Sequence, residues 1–127
     1  MKRTGTGVAL LLVLVMMTVH CGGSSRHNLV SITVSPTSAT AVSPKGTVQF
    51  TAIGNFNSAP MTQNIAVSWS SSAAGLIANI NSNGLATCIA PSSPPGNPVQ
   101  IQASSSGNAN GDPLFGTIEG TASLICE

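Results

Sequence analysis

The sequence feature that most constrains the fold is a short run in which apolar and hydroxyl side chains alternate. This run, residues 67–71, contains the only Trp of the chain. A period of two places Val67 and Trp69 on one face of a β-strand and Ser68 and Ser70 on the other. Because aromatic side chains are so scarce in this sequence, we expect Trp69 to anchor a buried core.

Comparable alternation recurs along the chain between turn signals. The segments that show it are residues 29–34, 47–54, 76–80, 99–103 and 117–126. In the second segment, Val48, Phe50 and Ala52 share the face that is expected to enter the core, so Phe50 is a second predicted anchor. Asn83-Gly84, between two apolar runs, predicts a hairpin turn because both residues tolerate a positive φ.

Composition favours strands joined by turns over helices. Of the 127 residues only 6% are charged and 3% are aromatic, and Ser, Thr, Asn, Gly and Pro are abundant. Ser, Thr and Asn compete with the hydrogen bonds of a helix. About seven short strands over about 100 residues, with turn signals about every 8–12 residues, are typical of an immunoglobulin-like β-sandwich. We therefore predict an all-β domain over residues 29–127.

The N-terminal segment predicts export. A positively charged Met1-Lys2-Arg3 precedes an apolar run at residues 8–19. This run is shorter than the roughly 20 residues that span a bilayer, so we interpret residues 1–20 as a signal peptide. Cys21 follows at once, and residues 21–28 have the composition of a flexible tether.

This arrangement resembles a bacterial lipoprotein signal. The resemblance implies that Cys21 is acylated and holds the protein on a membrane, with the outer membrane or the cell surface as the expected location. The sequence departs from the lipoprotein pattern at His20, where a small residue is usual, and at Thr18, where Leu is common. Conventional cleavage nearby, which would leave a free thiol, and an uncleaved anchor are the alternatives.

Five short motifs follow one another along the domain. They are residues 32–36, 46–52, 67–71, 77–80 together with 83–87, and 120–124. In this order and spacing they resemble the bacterial immunoglobulin-like domain of group 2 (BIG2), which occurs in intimin- and invasin-type adhesins and in many exported bacterial proteins. The resemblance spans residues 29–126 and implies an immunoglobulin-like sandwich. The loops at 55–61, 91–98 and 104–115 depart from the family pattern.

Two cysteines lie within the predicted domain. If Cys21 is acylated, Cys88 and Cys126 remain as a pair in an oxidising compartment, each at a strand position where an apolar residue is expected. We predict a disulfide between them, which would close a loop of about 38 residues and stabilise the fold by roughly 3–4 kcal/mol. Two free buried thiols are the alternative.

The domain has too few ionisable residues for nucleic-acid binding, acid–base catalysis or metal binding. Beyond residue 20 the chain has two basic and three acidic side chains, a net charge of −1, so no basic patch can bind nucleic acid. His20 and His27 both precede the first predicted strand, so the domain cannot assemble a catalytic triad or an activated thiol. Zinc and phosphate-binding spacings are missing from the sequence. We expect no enzymatic activity, no cofactor and no metal.

Apolar residues in the predicted loops could contact a partner. These residues are Phe56, Met61, Leu114 and Phe115. The leading hypothesis is a lipid-anchored surface module for adhesion or for binding a protein or glycan. The alternatives are a structural envelope domain without a ligand and a non-catalytic accessory domain of an enzyme assembly. One contiguous exposed patch would favour recognition, whereas scattered or buried side chains, which cap the end of the sandwich, would favour a structural role.

Overall fold

The structure, a computed structural model, describes residues 27–106 and 116–127. Within these ranges the chain forms ten β-strands and no helix, so the predicted all-β class is confirmed. The strands are β1 (Leu29–Ser35), β2 (Ser38–Ala41), β3 (Thr47–Gln49), β4 (Thr51–Phe56), β5 (Thr62–Asn64), β6 (Ser68–Ser71), β7 (Ala78–Ile80), β8 (Leu85–Cys88), β9 (Val99–Ser106) and β10 (Thr117–Cys126). The predicted signal peptide at 1–20 lies outside the described residues.

The strands form three sheets, with the orders β1-β4-β5, β2-β10-β9-β6 and β3-β8-β7. All neighbours are antiparallel except β2, which runs parallel to β10. Strands β1 and β10 belong to different sheets but touch closely, because the backbone of Ile32 lies against Gly120. The sheets therefore pack on one another as in a β-sandwich.

Three continuous segments change sheet part-way along their length. Residues 29–41 contribute β1 to the first sheet and β2 to the second, on either side of Pro36. Residues 47–56 leave the third sheet at Phe50 and enter the first, and residues 62–71 contribute β5 to the first and β6 to the second. The sequence therefore predicts about seven strands where the structure has ten. Alternation of side chains continues across the switch at Phe50 and does not signal the change of partner there, whereas residues 35–38 around Pro36 are all exposed.

The core lies between the sheets and is built mostly from small aliphatic side chains. Phe50 is its largest fully buried member, with 1% of its surface exposed. In the second sheet, Val99 and Ile101 of β9 pair with Leu124 and Ala122 of β10, so both strands bury the same face. The last strand has the bounds that its alternation predicts.

Two apolar residues that alternation assigns to the core are exposed. Val30 is 60% exposed because the register between β1 and β4 shifts between Leu29 and Ser31, and this bulge turns Leu29 inward instead. Leu76 is 74% exposed because a turn precedes β7, in which three successive N–H groups donate to the Ala73 carbonyl. The predicted strand at 76–80 is therefore shorter and begins at residue 78.

Candidate functional site

An open cleft of about 270 Å³ lies beside Trp69, and we call it the Trp69 cleft. Its walls are the start of β4, the segment between β5 and β6, and the turn between β7 and β8. Two of the three sheet switches therefore open onto the same cleft. The lining residues are Phe50, Thr51, Ala52, Asn64, Ile65, Ala66, Val67, Trp69, Ser82 and Asn83.

Trp69 forms one wall of the cleft and is only partly buried. Strand β6 places it opposite Ala103 of β9, and its buried part packs against the core. Its neighbours Ser68 and Ser70 are exposed, in line with the alternation of the sequence. The indole lies at the border of the core because β6 is the edge strand of its sheet. Trp69 thus packs against the core and also lines the cleft.

The turn between β7 and β8 packs against the indole. Gly84 has a φ of 80°, and a Cβ at this position would lie 3.1 Å from Cε2 and Cζ2 of Trp69. The turn is fixed by Asn81, whose Oδ1 accepts the N–H groups of Asn83 at 2.9 Å and Leu85 at 3.0 Å. A side chain that holds its own turn in this way limits the motion of the wall.

Gln49 connects this turn to the start of β4. Its Nε2 donates to the carbonyls of Phe50 at 2.8 Å and Asn83 at 2.7 Å. The N–H of Phe50 donates in turn to the carbonyl of Gly84 at 2.8 Å. With Phe50 buried beneath it, the cleft has a floor and one wall that are fixed by hydrogen bonds within the chain, which lowers the entropy cost of binding.

The polar side chains of the cleft are all neutral. Thr51, Asn64, Ser82 and Asn83 line it and are exposed. The Thr51 hydroxyl donates weakly to the carbonyl of Ser35 at 3.4 Å. The amides of Asn64 and Asn83 and the Ser82 hydroxyl make no side-chain hydrogen bond to any residue that the structure describes. They are free donors and acceptors beside an aromatic wall.

Similarity to known proteins does not identify this cleft. No family model and no curated protein matches the chain. The resemblance to BIG2 domains therefore stays a prediction from the motifs. Among residues 27–106 and 116–127, no three or more His, Cys, Asp and Glu side chains are grouped to hold a metal ion. The same ranges contain no helix with the length and apolar character needed to cross a membrane.

The predicted contact patch does not form from its described members. Phe56 is only 5% exposed, which corrects its assignment to an exposed loop. Strand β4 continues through Phe56 and pairs it with Leu29, so the ring falls on the same buried face as Ala52. Met61 is 58% exposed, and its carbonyl accepts the N–H of Phe56 at 2.8 Å. The other members, Leu114 and Phe115, lie outside the described residues.

His27 is part of the fold instead of a solvated tether residue. Its ring stacks on Phe56 with centroids 4.1 Å apart and an interplanar angle of 8°. Its Nδ1 lies 3.1 Å from the Ser58 hydroxyl, and its Nε2 is buried without a hydrogen-bond partner among the described residues. The N–H of Asn28 is held by the Asn57 side chain at 2.9 Å. The last two residues of the predicted tether at 21–28, His27 and Asn28, therefore pack on the domain.

The structure contains the Cys88–Cys126 disulfide, with the two Cα atoms 5.7 Å apart. Cys88 ends β8 in the third sheet and Cys126 ends β10 in the second, so the bond joins two sheets. Both residues are 1% exposed. Ser92 closes the same region, since its hydroxyl accepts the N–H of Cys126 at 3.1 Å. Cys21, the predicted lipidation site, lies outside the described residues.

Sequence reasoning missed the polar residues of the cleft. Asn83 is predicted only as a turn residue, and Asn64 and Ser82 carry no distinctive motif. They meet because two segments change sheet beside the same hairpin turn, and this depends on strand pairing that a single sequence does not reveal. The local signal that was present is the Asn-Gly turn, because Gly84 permits the close approach of Trp69.

Proposed function

We propose that this protein is an exported, non-catalytic binding module of the bacterial cell envelope, with a BIG2-like immunoglobulin fold and a lipid anchor at Cys21. The observation that carries the binding role is the Trp69 cleft, where the partly buried Trp69 stands beside amide and hydroxyl groups that have no hydrogen-bond partner among the described residues. Ligand sites commonly combine an apolar wall with a few polar groups that fix orientation.

The Cys88–Cys126 disulfide supports export. Disulfides form and persist in the bacterial periplasm and on cell surfaces, whereas the cytosol keeps thiols reduced. The apolar run at residues 8–19 and the Cys that follows it are the basis for the anchor. Together they favour a folded domain held at a membrane by its N-terminal end.

The placement of charge supports a role without catalysis. In the described ranges the acidic and basic side chains are His27, Lys45, Glu119 and Glu127, and none of them lines the cleft. General acid–base chemistry requires a titratable group within hydrogen-bond reach of the reacting atoms. The cleft offers only amides, hydroxyls and an indole, which can bind and orient a ligand but cannot transfer a proton at neutral pH.

The burial of Phe56 favours a second candidate, a structural envelope domain without a ligand. With Phe56 inside the fold, Met61 is the only described member of the predicted patch that is exposed. An isolated exposed Met is ordinary on a protein surface. A structural role is therefore the better explanation if the Trp69 cleft binds no ligand.

The intact mass of the full chain, extracted from membranes of a bacterial host, tests export and anchoring. Thiols are alkylated without reductant, and a second sample is alkylated after reduction. We expect an acylated chain that begins at Cys21, with Cys88 and Cys126 protected until reduction, and we expect Cys21→Ser to release the protein from the membrane. A water-soluble wild-type chain, or alkylation of both domain cysteines before reduction, would contradict the proposal.

A further inference from the structure

We propose that the Trp69 cleft binds a single ring unit of a neutral saccharide, with the indole of Trp69 against the ring and the amides of Asn64 and Asn83 on its hydroxyl groups. This inference rests on the proposed binding function and names the ligand class of the same site. It follows from the charge, the polarity, the size and the rigidity of the cleft.

The charge of the lining excludes ligands that need an ion pair. None of the ten lining residues is ionisable. Phosphate and carboxylate groups are recognised by Arg, Lys or arrays of backbone N–H groups, and cationic ligands by carboxylates. A neutral ligand loses no ionic hydration when it enters this cleft, so a neutral ligand fits best.

The polarity of the lining excludes a purely apolar ligand. Asn64, Ser82 and Asn83 have side chains whose hydrogen-bonding groups are unpaired within the described chain. An apolar ligand would cover them without replacing their bonds to water, and an unpaired polar group costs about 1–3 kcal/mol. Hydroxyl groups of a saccharide both donate and accept, so they can pair with the oxygen and the nitrogen of an amide.

The partly exposed indole supplies the other half of a saccharide site. The face of an aromatic ring carries partial negative charge and attracts positively polarised hydrogens. A saccharide ring presents one face of C–H groups and an edge of hydroxyl groups. Trp69 on one wall and the Asn64 and Asn83 amides on the others match these two chemistries.

The dimensions favour one ring unit over a longer ligand. The volume of about 270 Å³ lies just below the range of roughly 300–1,000 Å³ that is usual for drug-sized ligands. A peptide that added a strand beside the cleft would pair with one of the edge strands β5 and β6, but these offer only three and four residues. Such a short edge is a poor template for strand addition. The observations therefore favour a saccharide over an extended peptide.

The rigid turn explains how a small number of contacts can bind a ligand. Asn81 and Gln49 hold the Asn83 wall through hydrogen bonds of 2.7–3.0 Å within the chain. A preformed wall orders fewer groups upon binding, and this preserves affinity in a small site.

The fluorescence of the single Trp reports directly on binding in the cleft. The full chain with its disulfide intact is titrated with maltotetraose, cellotetraose and N-acetylchitotetraose, and with an uncharged, end-capped peptide of Thr and Val. Because Trp69 is the only Trp and the chain has no Tyr, a change in emission reports on this site. We expect at least one saccharide to shift the emission to shorter wavelength and calorimetry to give the same Kd.

Variants locate the binding. Asn64→Ala and Asn83→Ala are each expected to raise Kd roughly 5–20-fold, since each removes one or two hydrogen bonds to the saccharide. Asn97→Ala, at an exposed residue away from the lining, is the matched control and is expected to leave Kd unchanged. Unfolding midpoints verify that the variants fold. If Asn83→Ala does not fold, the test relies on Asn64→Ala, because Asn64 lies outside the hairpin turn.

Three results would overturn the inference. They are a failure of every saccharide to bind, binding that Asn64→Ala and Asn83→Ala do not weaken, and binding of the peptide alone. The envelope function fails separately, when the membrane extract lacks an acylated chain with protected thiols. If a chain that is not membrane-anchored binds a saccharide in the cleft, the result supports this inference and contradicts the lipid anchor. If the chain is anchored but binds no saccharide, the result supports the anchor and contradicts this inference.

Discussion

The indole of Trp69 packs against the backbone of Gly84. A Cβ on Gly84 would approach the indole to 3.1 Å and collide with the carbonyl oxygen of Phe50. Real Cβ atoms are rarely found so close to a rigid ring, and the carbonyl is held by a hydrogen bond from Gln49 Nε2 at 2.8 Å. The absence of a side chain at one residue therefore positions the aromatic wall of the cleft.

Gly84→Ala is expected to lower the free energy of unfolding by about 2–4 kcal/mol. The positive φ of 80° accounts for about 1–2 kcal/mol of this, and overpacking against Trp69 and Phe50 for the rest. Gly75→Ala is the matched control, because Gly75 has a φ of 76° with open space around it. Urea unfolding followed by Trp fluorescence measures both, and equal losses would show that the close approach contributes nothing.

The last strand could be predicted well from the sequence, and other strands less well. Strand β10 has the predicted bounds because Ala122, Leu124 and Cys126 alternate without interruption. Strand β4 was predicted too short, since nothing local indicates that Phe56 continues a strand. Its burial follows from pairing with Leu29, which is 27 residues earlier in the chain (56 minus 29). Long-range pairing decides such cases, and local periodicity cannot report it.

The candidate site could be predicted only in part. Trp69 is predicted as a buried core anchor because it is unique and alternates with serine, but it is only partly buried and lines the cleft, since β6 is an edge strand. Asn64 and Asn83 come together through two sheet switches and a hairpin turn. Of these elements only the hairpin turn has a local sequence signal, the Asn83-Gly84 pair, and the meeting of the two residues is a property of the topology.

The disulfide is expected to contribute about 3–4 kcal/mol to the free energy of unfolding, because it closes a chain segment with a sequence separation of 38. The double variant Cys88→Ala with Cys126→Ala removes it without leaving a lone thiol in the core. Urea unfolding of this variant should match that of the wild-type protein in reductant. A variant as stable as the oxidised wild type would contradict the expected contribution.

Ser92 fixes the connection between β8 and β9 to the C-terminal strand. It is 2% exposed, its hydroxyl accepts the N–H of Cys126 at 3.1 Å, and its own N–H donates to the Cys126 carbonyl at 2.8 Å. Ser92→Ala would leave the Cys126 N–H buried without its acceptor, so we expect a loss of about 1–3 kcal/mol. The neighbouring Ser93 is exposed, and Ser93→Ala should change stability by less than about 0.5 kcal/mol. Thermal unfolding compares them, and similar midpoints would contradict the assignment.

Phe56 and Met61 distinguish core from surface within the loop that the sequence predicted. Phe56→Ala should cost about 3–5 kcal/mol, because it leaves a cavity and removes the ring on which His27 stacks. Met61→Ala should be close to neutral, since Met61 is 58% exposed. If the two substitutions lowered the free energy of unfolding by similar amounts in urea, the burial of Phe56 would be contradicted and both residues would belong to an exposed loop.

Gly120 tests the packing between the sheets. A Cβ there would lie 2.9 Å from Ile32 Cγ2 and 3.0 Å from the Ile32 carbonyl carbon, and it would also meet the carbonyl oxygen. Because these are mainly backbone atoms of β1, Gly120→Ala must separate β1 from β10, and we expect a loss of about 1–3 kcal/mol. Gly116→Ala is the control, because a Cβ at Gly116 has nothing within 4 Å and its φ is ordinary. Hydrogen exchange should locate the change, with faster exchange of β1 amides in Gly120→Ala only. Unchanged β1 protection would show that the two sheets are further apart than this packing requires.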